Sequence, residues 1–257
     1  MRIRHLYPMG VEVSELRLAD VDAAVAARLR GLVADRGVLV LPGQDPDDAA
    51  FLAFLRAFGA LAFTVGETPV PGFADLNVVS NVGRATPPRS QFHVDTSYVR
   101  RPPAYTALRA VRLPERGGAT VFSDQYRAYD TLPADVRERL RGRTIRHVAT
   151  GVRLGADDEA SAEHPVFRPH PLSGRTALYI STQKRCAAIS GLERAEAEEA
   201  VAFLIAHSTR EDNLYRHRWM PGDVVMWDNG CVLHKADHDG VDGDRVMHRG
   251  MVAGYAA

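Results

Sequence analysis

The chain has 257 residues, of which 46% are hydrophobic and 25% charged, a composition that fits a packed core and not a disordered or fibrous chain. Lys+Arg and Asp+Glu are both 32, so the formal net charge is zero, which argues against a protein that coats nucleic acid through a basic excess. Two cysteines, Cys186 and Cys231, exclude a disulfide framework and argue against a Cys-based zinc site. Their apolar or small neighbours predict buried free thiols in a reducing cytoplasm. Lys184 and Lys235 are the only lysines, so 30 of the 32 basic residues are arginine, which reads first as coding bias. No stretch approaches the roughly 18 consecutive apolar residues of a membrane helix. The opening MRIRHLYPMGVEVSEL holds no signal-peptide apolar run. The expectation is a cytoplasmic protein with neither membrane nor nucleic acid as partner.

Neither a repeat nor a Ser/Gly linker divides the chain, which predicts one domain over residues 1–257. Val25, Leu29, Leu32 and Val33 recur at helical spacing, predicting a helix over 19–35 with Asp20 or Asp22 as cap. Val38-Leu39-Val40-Leu41 reads as a buried strand, and 46–58 as a second helix with Phe51, Phe54 and Leu55 on one face. Leu76 to Val82 is strand-like, and 83–90 is a Pro-containing loop. Strands are predicted near 105–113, 119–122, 143–149, 165–169 and 176–181, with a short helix over 133–141. A helix is predicted over 193–207, its acidic start suiting the helix dipole. Asp223–Trp227 and Val246–Ala253 are the last predicted strands. Many short strands with Gly/Pro turns and a few helices imply a mainly β protein with flanking helices, of the jelly-roll type.

Gln91-Phe92-His93-Val94-Asp95-Thr96 holds a His-x-Asp pair, and in an extended chain residues i and i+2 point to one side. His93 and Asp95 can thus offer an imidazole and a carboxylate to one metal, although an isolated His-x-Asp is common by chance. Trp227-Asp228-Asn229 begins a turn that leads to His234. Two histidines and a carboxylate make the facial triad of non-haem Fe(II) oxygenases, which leaves metal positions open. His238 is the rival second ligand, but an H-x3-H pair needs a helix and the Asp237–Gly243 composition denies one. His147, His170, His207 and His217 read as structural, and His248 should face away from Arg249.

His93-x-Asp95, His234 at 141 residues from His93, and Arg249 a further 15 on resemble the pattern of the taurine dioxygenase (TauD/TfdA) family. The resemblance extends through Pro102-Pro103-Ala104, Gly117-Gly118-Ala119-Thr120, His164-Pro165-Val166, Ser173-Gly174-Arg175 and Arg245-Val246-Met247-His248-Arg249. It implies a double-stranded β-helix (jelly roll) and an Fe(II)- and 2-oxoglutarate-dependent dioxygenase that consumes O2 and releases succinate and CO2. By this resemblance His93, Asp95 and His234 match the iron ligands. Arg249 matches the arginine that pairs with the distal carboxylate of 2-oxoglutarate, and Thr120 the hydroxyl residue that helps hold it. Arg245 matches a second basic position, open between supporting the site and facing substrate. Asp95 favours hydroxylation over halogenation, because halogenating relatives leave that position empty.

The substrate is expected to be a small molecule, anionic or amino-acid-like, that is hydroxylated or oxidatively cleaved. The substrate-facing positions implied by the family fall at Phe63-Thr64-Val65, Arg89, Thr96-Ser97-Tyr98 and Gln183-Lys184-Arg185. Arg89, Lys184 and Arg185 would attract an anion, or are ordinary solvated charges. Phe63-Thr64-Val65 offers no counterpart to the sulfonate-binding histidine of taurine dioxygenase, which argues against taurine itself. Two alternatives are a tailoring oxygenase of secondary metabolism with a non-anionic substrate, and a cupin-type isomerase or lyase that uses no 2-oxoglutarate. The second leaves Arg249 and Thr120 without a task. A homodimer is the expectation by analogy.

Overall fold

Strands covered on both faces organise the molecule. In Val38–Leu41 and Val224–Asp228, Leu39, Leu41, Val224 and Met226 enter one core, whereas Val38, Val40, Val225 and Trp227 enter another. Side chains alternate along a strand, so an unbroken apolar run is what two buried faces require. The computed structural model describes residues 1–64, 66–83 and 90–255.

These strands lie inside a nine-stranded sheet. Its order is Arg2–His5, Val11–Ser14, Val38–Leu41, Val224–Asp228, Tyr105–Arg112, Val246–Val252, Phe73–Ser80 and Pro69–Val70, with Leu61–Ala62 also on Val246–Val252. The pairing of Val11–Ser14 with Val38–Leu41 is parallel, and the others are antiparallel. A three-stranded sheet of Leu214–His217, Thr120–Asp124 and Val232–Ala236 faces it. Phe122 and Val232 of the small sheet meet Val225, Trp227 and Met247 of the large one in a shared core, which makes the two layers of the jelly roll.

Helices Ala23–Arg36 and Asp48–Phe58 cover the outer face of the large sheet through Leu29, Val33, Phe51, Phe54 and Leu55. Asp22 caps the first and Asp47 the second, each accepting a backbone N–H of the first turn. The approach is close at Gly250, where an added Cβ would lie 2.2 Å from Leu55 Cδ1. Helix Arg194–Ser208 opens with a Glu193/Glu196 capping box and buries Ala197, Val201 and Leu204 against Ile145, Leu178, Ile180 and Leu233.

The structure departs from the sequence reading in places that have local causes. The first helix starts at Ala23, because Leu18–Asp20 forms a separate 3-10 turn before the Asp22 cap. The stretch predicted as one strand over 165–169 is two pieces with different partners, Ser161–Pro165 on Thr144–Val148 and Phe167–Pro169 on Thr176–Leu178. Helix Gln125–Asp130 was not predicted, since six residues are too few to show a period. Among the described residues no helix is long and apolar enough to cross a membrane.

Candidate metal and cosubstrate site

Two backbone hydrogen bonds bring distant histidines together. The amide of His93 donates to the His234 carbonyl at 3.0 Å, and the amide of His234 donates to the His93 carbonyl at 3.0 Å. Their rings stand 4.3 Å apart between centroids. Asp95, two residues along, reaches the same point: its Oδ1 is 3.5 Å from His93 Nε2 and its Oδ2 is 3.6 Å from His234 Nε2. One ligand atom from each of the three lies within 4.8 Å of the others.

The protonation states suit a cation. His93 Nδ1 donates to the Gln91 carbonyl at 2.8 Å, which turns Nε2 toward Asp95. Burial pushes His234 down to about 3, so its imidazole is neutral at pH 7. Burial also opposes ionisation of Asp95, but the Arg249 guanidinium and the hydrogen-bonding neighbours outweigh it, and the carboxyl is held well below the usual range. Two imidazoles and one carboxylate, with no thiolate, are a fitting donor set for Fe(II).

Arg245 and Arg249 border the same cavity of about 360 Å³, together with His93, His234, Thr120 and Trp227. Arg245 is 2% exposed; its Nε donates to the Gly118 carbonyl at 2.9 Å and its Nη2 to Thr120 Oγ1 at 3.3 Å. Burial lowers Arg245 to about 10, which still leaves it charged at neutral pH. Among the described residues no carboxylate pairs with it. Thr120 Oγ1 also accepts from Trp219 Nε1 at 3.0 Å, so its own proton is available to a ligand. Arg249 is surrounded differently: Nη2 donates to Glu67 Oε1 at 3.1 Å, Nη1 to Asp95 Oδ1 at 3.4 Å and Nε to Asn77 Oδ1 at 3.0 Å. Thr120, expected to hold the same distal carboxylate as Arg249, has its hydroxyl against Arg245.

Residues 2–251 match the family described as "Taurine catabolism dioxygenase TauD, TfdA family". The alpha-ketoglutarate-dependent 2,4-dichlorophenoxyacetate dioxygenase of Cupriavidus pinatubonensis is 33% identical over 271 residues, covering 95% of this chain and 93% of that protein. The alpha-ketoglutarate-dependent sulfate ester dioxygenase of Pseudomonas putida is 29% identical over 273 residues, covering 96% and 87%. The crystal structure of a taurine dioxygenase from Burkholderia xenovorans aligns with a TM-score of 0.86 at 28% identity, covering 99% of this chain and 91% of that one.

The chain belongs to the TauD/TfdA family. It is a 2-oxoglutarate-dependent dioxygenase, with Fe(II), 2-oxoglutarate and O2 as its cofactor and cosubstrates.

Around the metal-ligand cluster, the residues expected to face substrate in this TauD/TfdA-family dioxygenase scatter. Arg185 lines the cavity, and its Nη1 donates to the Val94 carbonyl at 2.8 Å, propping the peptide between His93 and Asp95. Tyr98 is buried with Arg185 over its ring, and Thr96 Oγ1 lies 3.1 Å from Thr64 Oγ1. Lys184 is exposed and lines no part of the cavity, as the solvated-charge alternative has it, whereas its neighbour Arg185 takes the inward direction. Arg89 and Val65 lie outside the described residues. Glu67, which the sequence gave no reason to single out, enters only through its ion pair with Arg249.

The other histidines have definite surroundings. His238 borders the cavity but does not join the ligand cluster. His248 faces away from Arg249, with Nδ1 at 2.7 Å from Asp48 Oδ1. His217 meets Asp223 at 3.0 Å, and His207 the Ala128 carbonyl at 3.0 Å. His170, Asp228 and Cys231 also lie within ligand distance of one another. There, however, His170 Nδ1 accepts from the Leu172 and Ser173 amides, leaving Nε2–H to donate toward Asp228. Burial, with Asp228 beside it, pushes the Cys231 thiol well up, so this cluster is a hydrogen-bonded support for the turn.

Proposed function

We propose that this dioxygenase oxidises a small organic anion, with Arg249 seating the anionic group and with Arg245 and Thr120 holding the distal carboxylate of 2-oxoglutarate. The observation that carries the reading is the contrast between the arginines. Arg245 is a buried charge with no carboxylate partner, next to a hydroxyl whose proton is free. A dicarboxylate end there would receive a charge-assisted bond from the guanidinium and a second bond from Thr120. Arg249 lies beside Asp95, so an anion on it would set the rest of a substrate against the metal-ligand cluster.

Fe(II) bound by His93, Asp95 and His234, together with 2-oxoglutarate, supplies the oxidising chemistry: O2 gives one atom to succinate and one to substrate, with release of CO2. The protein's own share is placement. Arg185 props the segment carrying two of the ligands, and Trp227 and Leu108 give the cavity apolar wall that limits water. Glu67 occupies Arg249 until an anion displaces it. The relatives named above act on an aryloxyacetate and on sulfate esters, both of which carry an anionic group.

The test is a screen of aryloxyacetates, alkyl sulfate esters, sulfonates, amino acids and neutral analogues for stimulated succinate release, with mass spectrometry of products. An anionic compound should stimulate release at least about tenfold, and Arg249→Ala should abolish the stimulation, since losing a charge-assisted bond costs about 1.5–3 kcal/mol. Stimulation by neutral analogues equal to that by their anions would refute the anion seat.

A further inference from the structure

Two fully buried polar side chains back Asp95. Thr106 is 0% exposed and Asn229 1%. Thr106 lies in strand Tyr105–Arg112, opposite Trp227 on one side and Met251 on the other. Asn229 lies in the turn that leads to His234, and its amide donates to the Ala104 carbonyl at 2.9 Å. Thr106 Oγ1 donates to Asp95 Oδ2 at 2.8 Å, and Asn229 Nδ2 donates to Thr106 Oγ1 at 2.9 Å.

The protons in this chain have a single arrangement. A hydroxyl has one proton, and an ionised carboxylate only accepts. Thr106 must therefore give its proton to Asp95, and the group of Asn229 that faces it must be the NH2. The reverse amide orientation would draw the Thr106 proton to Asn229 and set a hydroxyl lone pair against the carboxylate. Asn229 thus fixes the direction of the Thr106 hydroxyl, although the two residues are 123 apart in the chain. Among the described residues Asn229 Oδ1 finds no partner, so the amide is kept there for its donor side.

We propose that Thr106 and Asn229 are positioning residues that hold Asp95 as a one-oxygen metal ligand. A carboxylate can bind a cation through one oxygen or two. Oδ2 holds the short Thr106 bond at 2.8 Å while Oδ1 meets only the long Arg249 contact at 3.4 Å, so Oδ1 is the oxygen better placed to take iron, and one-oxygen binding would leave more of the metal open to 2-oxoglutarate and O2. The inference rests on the His93–Asp95–His234 reading and concerns how one of those ligands is oriented. The same turn that delivers His234 also orients Asp95 through Thr106, so both ligands are referenced to one backbone feature.

The test is anaerobic calorimetric titration of the whole protein with Co(II), followed by 2-oxoglutarate binding read from the Co(II) absorption spectrum. Thr106→Val should weaken Co(II) binding about 10–100-fold, the usual cost of losing a partner of a ligand. Its spectrum with 2-oxoglutarate should also differ from that of the wild type. Thr106→Ser, which keeps the hydroxyl, should restore both to within about threefold. Asn229→Ala should weaken binding less, and the Thr106→Val/Asn229→Ala double variant no more than Thr106→Val alone, as for two residues acting in one chain. Wild-type Co(II) affinity and spectrum in a folded Thr106→Val protein, or additive losses in the double variant, would overturn the proposal. If Thr106→Val does not fold, Thr106→Ser and Asn229→Ala decide it: equal affinities for both, unchanged from wild type, also overturn it. His234→Ala is the separate control. Undiminished Co(II) binding there would mean that the ligand assignment, and not the positioning, is at fault.

Discussion

Arg245 and Arg249 stand four residues apart and border one cavity, yet the groups facing them differ. Thr120 and the Gly118 carbonyl meet the Arg245 guanidinium, and neither is an anion. Two carboxylates, Glu67 and Asp95, face Arg249. A buried cation without an anion is costly unless a ligand supplies one, which is the physical ground for proposing Arg245 as the cosubstrate's seat. Arg245→Ala should therefore raise the 2-oxoglutarate concentration needed for uncoupled succinate release by about 10–100-fold, from the loss of a charge-assisted bond. Arg249→Ala should leave that requirement nearly unchanged. Saturation curves for the two variants check this, and the opposite ranking would return the cosubstrate to Arg249. The family resemblance brought both arginines to the site and gave the distal carboxylate to Arg249. The partners that favour Arg245 instead, Thr120 beside Arg245 and Glu67 on Arg249, are not readable from spacing, the latter lying 182 residues from Arg249.

The segment that carries His93 and Asp95 is anchored by two strands that contribute nothing else to the site. His147 Nδ1 lies 2.9 Å from Ser97 Oγ and His164 Nε2 lies 2.9 Å from the Ser97 carbonyl, both rings being buried. Burial, helped by the charges of His164, Arg185 and Arg168, lowers His147 to about 3. Its folded pKa is below the unfolded value near 6.5, so the unfolded chain takes up a proton that the fold refuses. The stability this residue protects is complete above about pH 6.5 and is lost as the pH falls toward 3, at up to about 1.4 kcal/mol per pH unit. Urea midpoints of the metal-free protein between pH 6.5 and 5 should fall accordingly, and His147→Asn should flatten the slope. An unchanged slope would mean that His147 accepts its proton in the fold. The strand that carries His147 was legible from its pattern, as were the longer helices and the Asp22 cap of the first. The anchoring was not, because Ser97 is 50 residues away and a buried histidine looks alike in sequence whether it braces a loop or fills a core.

Site groups come from both layers of the molecule. His234 and Thr120 stand on the three-stranded sheet, and Thr106 and Arg249 on the nine-stranded one. Bound metal and 2-oxoglutarate would join those layers, and the site exists only when the whole chain is folded, which the zero net charge and even composition gave no hint of. Ligands that bind only the folded state stabilise it by mass action, about 2.7 kcal/mol for each present at 100 times its Kd. For a chain of this size 1 kcal/mol moves Tm by roughly 2–4 °C, so each ligand should add roughly 5–10 °C. Mn(II) in place of Fe(II) keeps turnover from consuming 2-oxoglutarate during the scan. The two increments separate by variant. Arg245→Ala should keep the metal increment and lose most of the cosubstrate one. His234→Ala should lose both, because cosubstrate bound without metal would keep only its distal contacts. Scanning calorimetry of the three proteins, with metal alone and with both ligands, reads each increment directly. A Tm in the wild type that neither ligand moves would count against a site shared between the layers.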